Sequence, residues 1–401
     1  MVQRLILRNF RSFKEVDVEL RPLNIVVGAN ASGKTNLVQA FRFLRDIARH
    51  GLENAVALQG GAEYLTNLNS PGERECHIEI VFTPRMTLRR VSTERLLQDI
   101  KVDEVRHSLT IRTIRKTNSA KIVQERLEVR YLVSGVNREN LLITRKGRTV
   151  RIEALPSTLS HLSSFKGRRL GLGVDQNASL MLPASLLSGF PPSFYDESIA
   201  IYDFSPKLAK QAVPISSHLA LSEDGANLPL IVQQILRSPR GRDRLLRLLQ
   251  MVLPYIKQLS VTTGQHVSLQ MQETYFDKRT LPAALLSDGT VEVVALIVAM
   301  FFSPFNPQLL IIEEPDRNLH PGVMSALMAL FREAAENTQL LITTHNPELV
   351  RQADVSDLLL VDRDSEGNSV LKRPADSESV GIFLEEELGL DYLFTQELLR
   401  V

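Results

Sequence analysis

Gly28-Ala29-Asn30-Ala31-Ser32-Gly33-Lys34-Thr35 fills the pattern G-x-x-x-x-G-K-[ST]. The apolar run Leu23 to Val27 stands directly before it, and Asn36 to Arg45 directly after, with Leu37, Ala40, Phe41 and Leu44 at helical spacing. A strand, a glycine loop and a helix in that order make a phosphate cradle. The glycines let backbone N–H groups turn onto a β-phosphate, Lys34 reaches the β/γ oxygens, Thr35 offers its hydroxyl to Mg²⁺, and the helix presents its positive end.

Working outward, residues 1–20 alternate as a strand pair bent at Phe10-Arg11-Ser12-Phe13, so a hairpin precedes the cradle strand. Gln59, in the loop Gln59-Gly60-Gly61-Ala62-Glu63, has two readings: a sensor of Mg²⁺ and γ-phosphate, or a surface turn residue. Towards the other end, Leu309 to Ile312 is a four-residue apolar strand closed by Glu313-Glu314-Pro315. Carboxylates at the C-terminal end of a buried parallel strand lie where ligands bind in α/β sheets. Glu313 can hold Mg²⁺, and Glu314 can orient or deprotonate an attacking water. Leu340 to Asn346 reads as a further strand ending in His345, positioned for a γ-phosphate, although a lone histidine there is more often structural. Ser287 and Gly289 stand at the start of an apolar helix from Val291 to Phe302, a place for a phosphate but also a common helix cap.

Between these clusters the pattern changes. His77 to Phe82, Ser108 to Ile114, Leu127 to Val133, Leu141 to Ile143 and Thr149 to Ile152 read as antiparallel strands with arginines at many outward positions. Residues 156–206 are rich in Ser, Gly and Pro and read as irregular. Ala226 to Tyr255 reads as a helix pair divided at Pro239-Arg240-Gly241. The expected organisation is thus residues 1–75 and 281–401 as two parts of one head, 76–155 as a basic antiparallel β subdomain, and 156–280 as an irregular and helical insert.

The 401 residues carry a net charge of only +1, which names no partner, yet Arg85 to Arg169 holds 20 Lys/Arg against 8 Asp/Glu. Residues 354–401 hold 4 against 12, an acidic end. The lone Cys76 excludes an intrachain disulfide or a four-cysteine zinc site, and no stretch is apolar enough to span a bilayer, so a cytoplasmic chain is expected. Asp362 and Asp364 form a D-x-D that reads as a final strand and turn rather than a metal pair.

Leu5 to Phe13, Gly28 to Thr35, Leu286 to Thr290, Glu313-Glu314-Pro315 and His345 together resemble the RecF/SMC branch of the ABC-type ATPases. More narrowly, the chain is similar to stand-alone bacterial RecF-like ATPases related to the ATPase half of OLD-family nucleases, without their Toprim domain. The resemblance implies an α/β P-loop NTPase fold of the ABC type, with a mostly parallel core sheet. It implies ATP and Mg²⁺ as cofactors, with nucleotide bound by Gly28, Ala29, Asn30, Ala31, Ser32, Gly33, Lys34, Thr35 and Asn36. Ser287 and Gly289 become the signature that closes over ATP on another subunit, Thr35 and Glu313 the Mg²⁺ ligands, and Asp316 to His320 a loop crossing the dimer interface. Glu314, His345 and Lys34 become the catalytic residues. Ala29, Ala31, Glu313 and Asp288 depart from the commoner proline, glycine, aspartate and glycine. The implied mechanism is an ATP-dependent head-to-tail homodimer. Two classes of role follow from it: a clamp on duplex DNA through the basic region 85–169, in repair or antiviral defence, or an ATP-gated regulator of a separately encoded effector such as a nuclease.

Overall fold

The computed structural model describes residues 1–70, 72–84, 87–91, 97–133, 137–157, 166–167, 169–170, 198–215, 220–276, 279–376 and 395. The chain opens with the expected hairpin, β1 (Val2–Phe10) and β2 (Phe13–Glu19), followed by β3 (Leu23–Val27) and helix α1 (Lys34–Leu58), which is broken at Gly51. Phe10 faces Phe13 across the bend, leaving a two-residue turn in which Arg11 takes φ 51°. Next come β4 (Glu75–Phe82), β5 (Thr87–Val91), β6 (Leu97–Ile114), β7 (Ser119–Val133), β8 (Asn137–Lys146), β9 (Thr149–Ala154) and β10 (Arg169–Leu170), each antiparallel to its neighbours. They do not form a separate sheet: β4 pairs with β1, so the antiparallel wing continues the core sheet.

The second half begins at β11 (Ile199–Tyr202) and α2 (Pro206–Ala209). A small sheet then forms from β12 (Val213–Pro214), β13 (Ile256–Thr263), β14 (His266–Glu273) and β15 (Leu281–Pro282), with α3 (Leu228–Leu236) and α4 (Pro239–Val252) between its strands. The chain returns to the main sheet through α5 (Asp288–Phe301), β16 (Leu309–Glu313), α6 (Met324–Ala335), β17 (Gln339–Thr344), α7 (Pro347–Arg351), β18 (Leu358–Arg363) and β19 (Ser369–Lys372). Five strands run parallel at one end of the 15-stranded sheet, in the order β11-β16-β17-β3-β18, with β11 at the edge.

The core strands are apolar on both faces because both faces are covered. Val26, Leu341, Leu309 and Ile311 face the side packed by α1, whereas Ile25, Val27, Leu340, Ile342, Leu310 and Ile312 face α5 and α6. This period-two division between two cores fixes the register, since a slip by one residue would exchange every side chain between them. β16, β17 and β3 therefore end in step: Glu313 pairs with Thr343, and Thr344 with Val27.

Two expectations need correction. β11 lies within the stretch read as irregular; it is only four residues long, too short for periodicity to reveal. Most of the remainder of 156–206 lies outside the described residues, as does most of the acidic end beyond Asp376. The helix after β16 starts as a 3-10 turn at Pro321–Val323, and its α-helical part is Met324–Ala335. Gln59 is not a surface turn residue: it is buried at the end of α1, where it accepts from Arg11 Nε at 3.1 Å and donates to Gln39 at 3.2 Å. Asp364 does form a turn, accepting from the backbone N–H of Glu366 and of Asn368.

Candidate functional site

The cradle is built by close backbone approach. A Cβ on Gly28 would lie 2.2 Å from the Val361 carbonyl oxygen of β18, and Gly33, at φ +124°, leaves no room against Ser369. Ala31 occupies the left-handed region at φ 63°. Its carbonyl is held by Arg363, from Nε at 3.0 Å and Nη2 at 2.8 Å, while Ser369 Oγ donates to the Ser32 carbonyl. The Ser32 hydroxyl is buried without a hydrogen-bond partner, and α1 starts with no side-chain cap at Gly33. Unsatisfied donors converging on a helix N-terminus fit a phosphate. Lys34 is buried, and its Nζ donates to the carbonyls of Gly28 (2.8 Å) and Ala29 (3.1 Å). Burial lowers the pKa of its ammonium, against the raising charges of Glu314 and Asp316.

Those two acids reach the cradle from β16. Glu314 leaves the strand at φ 43°, its N–H donating to the Thr343 carbonyl at 3.0 Å and lying 3.1 Å from the Thr343 hydroxyl. A non-glycine residue at positive φ is strained, and such strain collects at functional sites. Arg317 Nε donates to Glu314 Oε2 at 3.2 Å, and His345 Nδ1 lies 3.3 Å from Oε1. Burial opposes charge on Glu314, yet Arg317 and then His345 outweigh it and hold the carboxyl below the ordinary carboxylate range. Glu313 is driven the other way. Burial, with the charge of Asp203 next, pushes it up to about 7 despite Arg42 of α1 at 3.4 Å. Adjacent glutamates with pKa values pushed apart suit different tasks: an ionised base, and a ligand that a cation beside it would charge.

The Thr35 hydroxyl and the Glu313 carboxylate are the hard oxygen donors that Mg²⁺ prefers. Among the described residues no group of three His, Cys, Asp or Glu forms a metal cage. Asp316, buried behind this edge, accepts from Thr344 Oγ1 at 2.8 Å, and burial raises its carboxyl.

Ser287 caps α5, its Oγ accepting from the Thr290 N–H at 3.0 Å. Gly289 packs on the loop after β16, where a Cβ would lie 2.5 Å from the Asn318 carbonyl oxygen. One turn on, the buried Glu292 pairs with Asn318, and burial raises its carboxyl to about 8. The hydrogen bonds of Ser287 stay within its own helix cap, so a hydroxyl with one donor and two lone pairs retains capacity for a further partner. Residues that sequence reasoning did not single out include Arg42, Arg363 and Ser369; Arg317 lay within the loop Asp316 to His320, but its contact with Glu314 was not foreseen. Arg11 did stand out as part of the bend, but its partners Gln59 and Asn36 were not legible.

A family model described as "AAA domain, putative AbiEii toxin, Type IV TA system" matches residues 23–351, from the cradle strand past His345. The chain belongs to this family. Over short stretches the chain is also similar to RecF proteins. DNA replication and repair protein RecF of Corynebacterium jeikeium is 36% identical over 70 residues, 17% of this chain and 16% of that protein. RecF of Halalkalibacterium halodurans is 46% identical over 44 residues, 11% and 12% of the two chains. This AAA-domain chain thus aligns with less than a fifth of the length of either relative. Among solved structures, an Smc head bound to the C-winged helix domain of ScpA covers 92% of this chain and 96% of its own at 14% identity and TM-score 0.49. The SMC head domain of Thermotoga maritima covers 93% and 98% at 15% identity and TM-score 0.43. No helix among the described residues is long and apolar enough to cross a membrane.

Proposed function

We propose that this AAA-domain chain binds ATP with Mg²⁺, dimerises head to tail and hydrolyses the ATP at the dimer interface. The observation that carries this reading is the level ending of β16, β17 and β3, which brings Glu313-Glu314, His345 and the phosphate loop to one sheet edge. Lys34 and the backbone from Gly28 to Asn36 hold the phosphates, and Thr35 and Glu313 would hold Mg²⁺, which supplies charge neutralisation on the phosphate oxygens. Glu314, kept ionised by Arg317 and His345, orients and deprotonates the attacking water. Ser287 and Gly289 serve the partner's nucleotide from the start of α5.

Steady-state hydrolysis with Mg²⁺ tests the reading. Wild-type protein turns over ATP; Lys34→Ala loses binding of a fluorescent ATP analogue; Glu314→Gln binds it, hydrolyses it at least about a hundredfold more slowly and elutes as an ATP-dependent dimer. Retained nucleotide binding by Lys34→Ala, or a Glu314→Gln protein that stays monomeric in Mg-ATP, would sink it.

The RecF names of the matched relatives support a role on DNA, in repair or defence. The family description, which mentions a toxin system, favours a second reading: an ATP-gated regulator of a separate protein effector. Stimulation of hydrolysis by duplex DNA separates the two, since only the first expects it.

A further inference from the structure

The sequence directs attention to the basic stretch 85–169 as the anion-binding surface, yet five of its described arginines have acidic partners, while Arg115, Arg138 and Arg151 are exposed with no ion pair among the described residues. Arg106 pairs with Glu79, Arg112 with Glu75, Arg126 with Glu128, Arg130 with Glu104 and Glu128, and Arg145 with Glu125. On α4 such arginines are gathered on one short helix. Arg240, Arg242, Arg244 and Arg247 are exposed, as is Arg237 just before the helix, and none has a carboxylate within ion-pair distance among the described residues. The acids nearby are Asp243 on the same helix and Glu333 across a groove on α6.

Arg240, Arg244 and Arg247 are spaced i, i+4, i+7 and form one stripe, opposite the buried Leu245, Leu248, Leu249 and Val252. At 1.5 Å rise per residue their Cα atoms span about 10 Å. One DNA strand carries a charge about every 3.4 Å along the axis, so the stripe faces roughly three phosphates. An open groove of about 540 Å³ runs beside it, lined by Arg244, Arg247, Leu248, Gln250, Met251 and Glu333. Arg244 is already oriented, its guanidinium lying 5.7 Å from the Phe301 ring centre and 5.6 Å from that of Phe302. A guanidinium stacked on aromatic faces keeps its in-plane N–H donors for phosphate oxygens. Those phenylalanines mark the C-terminal end of α5, while Ser287 caps the other end, about 20 Å away along a helix of 14 residues.

We propose that the α4 stripe is a sequence-independent seat for the phosphate backbone of duplex DNA, separate from the nucleotide edge. Charge complementarity selects this occupant: five exposed arginines without acidic partners, three of them at a spacing that matches successive phosphates.

The test is fluorescence anisotropy of a labelled duplex of about two turns, without nucleotide, between about 50 and 200 mM salt. Wild-type binding should weaken with a log–log slope of about −3 to −4, each neutralised phosphate contributing about −0.9. Arg240→Gln with Arg247→Gln should flatten that slope by about 2 and weaken binding about tenfold or more at the lower salt. Arg244 is left in place because it packs on Phe301 and Phe302, and thermal melts check the fold. Arg112→Gln with Arg126→Gln should leave binding unchanged. Equal binding by the α4 double variant, or a wild-type protein that ignores DNA and binds poly-glutamate instead, overturns the proposal. Because nucleotide is omitted and Lys34→Ala should bind DNA like wild type, failure of this proposal is distinguishable from failure of the ATP reading.

Discussion

At the scale of single residues, two side chains sit where their chemistry is disfavoured. Glu292 is 3% exposed on α5, and burial raises its carboxyl from 4.5 to about 8. Below pH 4.5 the folded and unfolded chains both hold this proton, so it has no effect on stability. Between 4.5 and about 8 the unfolded chain releases it while the folded one keeps it, so stability falls as pH rises. Glu292→Gln removes that dependence. In urea unfolding at a series of pH values, the variant should gain on wild type through this window, by up to about 1.4 kcal/mol for each pH step of one and a few kcal/mol in all. The gain should level off above the window. An advantage of the same size at every pH would refute the assignment. Ala31 is the second case. Its left-handed backbone costs about 1–2 kcal/mol, of which glycine would recover all but the ~0.4–1 kcal/mol lost to a freer unfolded chain. Ala31→Gly should therefore stabilise the protein by about 0.5–1 kcal/mol in the same denaturation experiment, and a loss of that size would show that the Ala31 methyl has a packing role.

At the scale of elements, the hairpin of β18 and β19 clips the phosphate loop from the C-terminal side, through Arg363 on Ala31 and Ser369 on Ser32. Arg363→Ala removes two charge-assisted hydrogen bonds that fix the loop apex, at an exposed site whose loss does not open the core. It should weaken binding of a fluorescent ATP analogue by roughly tenfold while leaving the thermal midpoint within a few degrees; unchanged affinity would mean the loop holds its shape unaided. The elements themselves were largely legible. Leu309 to Ile312 and Leu340 to Ile342 are unbroken apolar runs, and Leu23 to Val27 is broken only by Asn24, because α1 covers one face of the sheet and α5 and α6 the other. The clip was not legible, because Arg363 and Ser369 meet Ala31 and Ser32 across more than 330 residues, and only the strand order β3-β18-β19 brings them together. The pairing of the strand arginines was hidden for a similar reason. Arg112 finds Glu75 only because β4 and β6 pair in that register, which a charge count along the chain does not show. Gln59 could be read as a sensor or a turn residue because the Arg11 that engages it lies in a separate hairpin.

At the scale of the whole molecule, the two halves of the proposed site lie on different parts of one chain. The cradle and Glu314 share the sheet edge, whereas Ser287 caps α5 and makes its hydrogen bonds there. If each ATP is enclosed by the cradle of one chain and the Ser287 of another, the two functions must complement in trans. Lys34→Ala leaves Ser287 intact, and Ser287→Arg leaves the cradle intact, so each homodimer is inactive at both sites. A mixed dimer has one site with both lesions and one with neither. Random pairing of equal amounts puts half the dimers in the mixed form with one working site of two, so the mixture should recover about a quarter of wild-type turnover. That recovery should require Mg-ATP and should fall as total protein is diluted below the dimer dissociation constant, because association supplies the missing group. A site completed within one chain predicts something different: Ser287→Arg alone would keep part of its turnover, or the mixture would show no more than the sum of its inactive parts at any concentration. Steady-state hydrolysis across a mixing series at fixed total protein separates the two arrangements, since complementation in trans traces a curve with its maximum at equal amounts and independent chains trace a straight line.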